Sequence, residues 1–319
     1  ISNLPYSAIQ IVGSSGVTMT SNTISNVLTS WDHGCAVQIS SSATVTLNQN
    51  NISGDGWGYC ITNSNGVDID ANNIASNMGA HINGVPESSN IQIRNMQFSS
   101  GKEIWIGGCH PSCSTTIVKS VTITGNTFDG YDHAIIFDHV QGITISDNIF
   151  KNSHSQMVWF MGGNTGGHTI TGNTFADNSG EALRLGPAMD NDGSTITGNT
   201  FTNNNVAFAI GGKNNQFTNN NFVNNAVDIS NVGGFLSTNT FSQNYWSDFD
   251  SAAETCYNDT PFDQFCDTTA NFQIYHYSDP GYRAISDSQP WVMQDGAMPS
   301  SPIPSPPDTQ DPSVSTPGS

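Results

Sequence analysis

Short runs of alternating apolar and polar residues recur along this chain, each followed by a polar turn and a single Ile or Phe. VTMTSNTI ends at Ile24, VTLNQNNI at Ile52, VDIDANNI at Ile74 and IQIRNMQF at Phe98. The pattern continues in VTITGNTF to Phe128, ITISDNIF to Phe150, HTITGNTF to Phe175, STITGNTF to Phe201, NQFTNNNF to Phe222 and FLSTNTF to Phe241. Successive endpoints lie 19 to 30 residues apart. Period-two alternation gives a strand one inward and one outward face, and a return at nearly fixed length marks a solenoid. A second apolar strand precedes each phrase, as in AIQI (8–11), AVQI (36–39), EIWI (103–106), AIIF (134–137), MVWF (157–160), ALRL (182–185) and VDI (227–229). Helical periodicity is absent. The predicted fold is all-β: a right-handed parallel β-helix of about ten coils over residues 1–246. Each coil buries a thin apolar layer against neighbours about 4.8 Å away.

The Asn ahead of the closing residue recurs at Asn22, Asn50, Asn72, Asn126, Asn148, Asn173, Asn199, Asn220 and Asn239, with Met96 interrupting the column. An amide at a turn can bond its equivalent one coil away and satisfy turn backbone groups. A column running the whole length is read as structural, not as a ligand site.

The pattern changes after Phe241. Residues 247–297 are aromatic and Cys-bearing, and are expected to cap the last coil. Residues 298–319 form a Pro/Ser-rich extended tail that fits an O-glycosylated linker. Of six Cys, Cys109 with Cys113 and Cys256 with Cys266 read as local disulfides, which places the chain in an oxidising compartment. Cys35 and Cys60 fall in adjacent coils but about three strand positions apart, and their pairing is left open. Asn51 (NIS) and Asn258 (NDT) match the N-glycosylation pattern.

The net charge of −19, with only seven Lys and Arg, argues against nucleic acid. No apolar stretch is long enough for membrane insertion. Residue 1 already falls inside the repeat, so the first coil is expected to present an open strand edge.

The phrases ITGNTF and ISDNIF, followed by NYWSDF, resemble the repeats of the NosD-like and pectate-lyase-like β-helix superfamily over roughly residues 8–250. The resemblance implies the fold. The superfamily includes polysaccharide lyases, hydrolases, epimerases, copper-loading periplasmic proteins and adhesins, so activity has to be argued from a site. Neither a DPHD motif nor a paired-Asp polygalacturonase signature occurs, and no residue is assigned as catalytic by motif.

Read coil by coil, the outward column of the second strand runs Gln10, Gln38, Cys60, His81, Trp105, Ile136, Trp159, Arg184, Ala209 and Asp228. Trp105 and Trp159, two coils apart, would stand about 10 Å from each other, and their faces suit sugar rings. Glu103 and Asp132, about 8 Å apart in this register, would suit inverting glycoside hydrolysis, with His133 beside them. Lys102 or Tyr131 are further candidate bases for a lyase. His81, Asp138, Glu181 and Arg184 complete a candidate saccharide groove. Calcium is raised by Asp190-Asn191-Asp192-Gly193, which reads better as a surface turn lacking the later ligands, and zinc by Cys109, His110 and Cys113, where a disulfide is the better reading because two more ligands would be needed.

Two functions follow as expectations. One is a glycosylated extracellular or cell-surface protein that associates with its own copies, or with another extracellular protein, through the open edge and the Pro-rich tail. The other is polysaccharide cleavage or binding in the groove around Trp105 and Trp159.

Overall fold

A computed structural model describes residues 7–27, 35–83, 88–99, 104–107, 117–163, 166–186, 192–232, 238–247, 272–273 and 286–287. It is a right-handed parallel β-helix with three sheet faces. The first face runs from Ile9–Val12 to Val227–Asn231, the second from Thr18–Thr20 to Thr240–Ser242, and the third from Thr23–Val27 to Tyr245–Trp246. All pairing from coil to coil is parallel, as in Ile170 opposite Ile145 and Ile196. Among the described residues, the ten strands from Thr18–Thr20 to Thr240–Ser242 on the second face enclose nine turns, slightly fewer than the expected ten coils.

Each repeating phrase makes two strands, where the sequence suggested one. The residue before the Asn adopts a left-handed conformation and turns the chain: φ is 65° at Gly125, Gly172 and Gly198, and 55° at Asp147 and Asn219. Glycine takes this region at no steric cost, and Asn and Asp tolerate it.

The Asn column forms as expected and does structural work. Asn148 Nδ2 donates to Asn173 Oδ1 at 3.0 Å, Asn173 to Asn199 at 2.9 Å, and Asn199 to Asn220 at 3.0 Å. Each Oδ1 also accepts the backbone N–H of the preceding Asn, so every turn lends its donor to the next coil. Met96 interrupts the amides, and its Sδ accepts the Asn72 N–H at 3.1 Å.

The column ends at Asn244, however, not Asn239. FLSTNTF and TFSQNYW overlap and both fit the repeat. The chain takes the second frame, with Phe241 opposite Phe217 and Trp246 opposite Phe222. That frame stacks the Trp246 indole on Phe222 with centroids 4.3 Å apart. Asn239 belongs to a separate corner, where it accepts the Asn215 N–H.

Inside the helix, Phe98, Phe128, Phe150, Phe175, Phe201 and Phe222 stack at 4.7–5.1 Å, one ring per coil. Ile24, Ile52 and Ile74 continue the column in the opposite direction.

Cys35 and Cys60 form a disulfide with Cα atoms 5.7 Å apart. The pairing left open by counting positions is made because the strand start is not straight. Cys35, Ala36 and Val37 are all buried, which breaks the alternation. The register itself is as counted, with Cys35 opposite Trp57 and Cys60 opposite Gln38. Cys109, Cys113, Cys256 and Cys266 lie outside the described residues, as does nearly all of 248–319. Ser286–Asp287 extends the second face beside Phe241, with Phe272–Gln273 antiparallel to it.

Candidate functional site

The first face holds the expected outward column. Gln10 opposes Gln38, Cys60 opposes His81, Trp105 opposes Ile136, and Trp159 opposes Arg184, which in turn opposes Ala209. The column fails at its last member. Ala209 opposes Ser230, while Asp228 is buried and accepts a hydrogen bond from Asn225 Nδ2 at 3.0 Å. Ile136 is also buried, although it sits on the outer side between the two Trp positions.

Trp105 and Trp159 are both half-buried. Trp159 carries the His133 imidazole on one face, with centroids 5.7 Å apart and planes at 29°. His133 is held by Gln156, Nε2 to Oε1 at 3.0 Å. Gln156, in turn, accepts from Ser155 Oγ. Next to Trp159, Arg184 Nη1 reaches both Glu181 oxygens at 2.9 and 3.0 Å, so each side chain neutralises the other. Two buried donors on this face, Trp159 Nε1 and Arg184 Nε, have no hydrogen-bond partner.

At the other end of the face, Asp138 is buried and its Oδ1 lies 2.8 Å from His139 Nδ1. His139 has φ of 54°, an unusual backbone for a non-glycine residue. The two glycines beside this pair are not replaceable. A Cβ on Gly163 would meet the His139 ring, and a Cβ on Gly107 would meet the Asp138 backbone, with the Trp105 indole nitrogen also close. Trp105, Asp138 and His139 therefore meet around Gly107 and Gly163. Sequence reasoning placed Asp138 here but gave His139 no role. The adjacent Asp-His pair was the available signal.

Other expected residues disperse. Asp132 is largely exposed and faces only His154, 3.9 Å away. Tyr131 points into the core against Phe128, and burial pushes its phenol well above the usual range, so it is not a surface base. Glu103 and Lys102, and with Glu103 the expected Glu103–Asp132 pair, lie outside the described residues. The His81 backbone opposes Trp105. Asp192 Oδ1 accepts the Lys213 N–H of the next coil, which fits a structural turn. Asn51 is exposed and accepts a hydrogen bond from Asn73. Asn258 lies outside the described residues.

The family model of NosD, described as a periplasmic copper-binding protein, matches residues 84–264. The chain belongs to the NosD family. No curated protein matches it. The NosD-family chain is similar in structure to DFA-IIIase from Arthrobacter chlorophenolicus A6, with TM-score 0.50 and 11% identity over 74% of this chain. It spans 63% of that protein's length. It is also similar to the A-module of the mannuronan C-5 epimerase AlgE6 from Azotobacter vinelandii, with TM-score 0.50 and 13% identity, over 76% of this chain and 79% of that one. These likenesses show the fold.

Copper would need several convergent His, Cys or Met donors. Among the described residues no three His, Cys, Asp or Glu side chains gather to hold a metal ion. Cys35 and Cys60 are joined to each other, and His133, His139 and His154 each contact a different partner. The described residues do not fit a copper centre, and no step is derived through one.

Proposed function

We propose that this NosD-family chain works outside the cytoplasm as a surface module that binds a polysaccharide along its first face. The observation that carries the reading is the pair of half-exposed indoles, Trp105 and Trp159, two coils apart on one continuous face. Aromatic faces suit the C–H faces of sugar rings, and exposed large aromatics on a polar protein need such a reason. Glu181 and Arg184 neutralise each other, which favours a neutral glycan over a polyanion. Disulfide chemistry and the family's periplasmic description support the location.

Binding of the folded protein to a panel of polysaccharides tests this. Trp105→Ala and Trp159→Ala should each weaken retention at least about tenfold, or roughly 1.4 kcal/mol, with no reducing ends released. Unchanged retention in both variants would refute it.

A second reading, catalysis, is favoured by one observation. A buried carboxylate beside an imidazole Nδ1 leaves Nε2 as a candidate base. Product release abolished by His139→Asn would establish it.

A further inference from the structure

We propose that the second face, from Val118–Thr124 to Thr240–Ser242, is an ice-binding surface. It lies on a different side of the coil from the Trp face and is independent of the glycan reading. Six consecutive strands end there, each presenting two outward side chains two residues apart, as in Thr169 with Thr171 and Thr195 with Thr197. Every one of these positions carries a hydroxyl except Gln216, and none carries a charge.

The geometry is periodic in two directions. Neighbouring strands repeat at about 4.8 Å, and outward residues along one strand at about 6.6 Å. Both spacings lie close to oxygen repeats on ice surfaces. No register shift interrupts the six strands, so the match holds from one coil to the next. Threonine is stiff at χ1, so little rotamer entropy is lost when its hydroxyl meets an ordered lattice. Two strand-to-strand bonds fix part of the array further: Ser146 Oγ to Thr124 Oγ1 at 2.9 Å, and Thr218 Oγ1 to Thr197 Oγ1 at 3.2 Å.

Glycines open part of each border, while Asp147 and Asn219 stand exposed in the same row as Gly125, Gly172 and Gly198. Gly142, Gly167 and Gly193 flank it on one side and Gly125, Gly172 and Gly198 on the other. All six are exposed with positive φ. No side chain rises from these positions to hold a flat solid away.

Charge selects among occupants. The chain carries −19, yet the paired outward positions of these six strands carry no charge, while Lys119 opens the first of them and earlier strands of the same face hold Asp68, Asp70 and Arg94. A neutral array fits a neutral partner. Five strand spacings of about 4.8 Å by one of about 6.6 Å make a strip far smaller than the roughly 800 Å² each partner gives a stable protein interface. A second copy is therefore a poor occupant, whereas a crystalline solid repeats the match at every coil.

The full chain is tested by nanolitre osmometry and by the shape of ice crystals grown in its presence. The wild type should facet ice and hold freezing below melting. Thr171→Tyr and Thr195→Lys put a bulky or charged group in mid-array and should abolish the gap, with folding verified by circular dichroism. Thr200→Tyr, on the third face, should retain it. Round, unshaped ice with folded wild type overturns the proposal. So does a gap unchanged in folded Thr171→Tyr and Thr195→Lys, or one lost equally in Thr200→Tyr. A wild-type dimer dissolved by Thr171→Tyr would make this face an interface between copies, which also overturns it.

Discussion

Asn173 is buried, and its side chain is bonded on both sides. Nδ2 donates to Asn199 Oδ1 and to the carbonyls of Ile145 and Thr171, while Oδ1 accepts from the backbone and side chain of Asn148. Asn173→Ala strips partners from these buried groups. At about 1–3 kcal/mol per stranded group, the loss should reach about 3 kcal/mol and appear as a lower melting temperature. The role was legible because one residue type repeats at one place in the phrase. A second corner was not legible, because its members differ chemically. There Ser42, Ser64, His168, Ser194 and Asn215 take equivalent places and share only an acceptor atom for the N–H of the preceding coil. A surface carboxylate gives a pH test. Asp129 is held below the usual carboxylate range, first by Asn152 Nδ2 and then by Lys151. A depressed folded value stabilises above the unfolded value of about 3.9 and is lost as pH falls through the folded one. Melting temperatures of wild type and Asp129→Asn should differ near neutrality and converge as pH falls below the unfolded value of about 3.9 and through the lower folded one.

From Phe98 on, rings stacked one coil apart fill the core behind the third face. Phe175 lies between Phe150 and Phe201 at 4.9 and 4.8 Å and is fully buried. Phe175→Ala should cost about 3–5 kcal/mol, read from the shift of a denaturation curve. Near the other end, the Cys35–Cys60 bridge closes a 25-residue separation. Removing it by Cys35→Ser with Cys60→Ser should cost about 2–4 kcal/mol and raise hydrogen exchange in the first coils before the last. Alternation made the strands legible, and register from Gln10 to Ala209 followed from it. Two things did not follow. Two frames fit equally well near Phe241, and only stacking on Phe222 chooses between them. The candidate groove also depends on side-chain partnering that spacing does not encode. Arg184 turns back to Glu181, His133 covers Trp159, and Tyr131 turns inward.

The whole molecule is a stack in which each coil touches mainly its neighbours, so stability approximates a sum over coils and their interfaces. Asn173 and Asn199 are equivalent positions 26 residues apart. Deleting residues 174–199 removes one complete turn and joins Asn173 to Thr200 in frame. That variant should keep its far-ultraviolet spectrum with a reduced melting temperature. Deleting 174–186 cuts within a turn, puts inward residues outside, and should yield an unfolded product. The amide columns have one more consequence. From Asn126 to Asn220 each Nδ2 sends one bond to the Oδ1 of the next coil and another back to a carbonyl of the coil before, and Asn178 and Asn204 do the same at a second corner. The amide-to-amide bonds all run in one sense, and hydrogen bonds in series polarise one another. The rod is therefore electrically directional. In a pulsed field it should orient as a permanent dipole, and that signal should fall when Asn173→Ala interrupts the longer row.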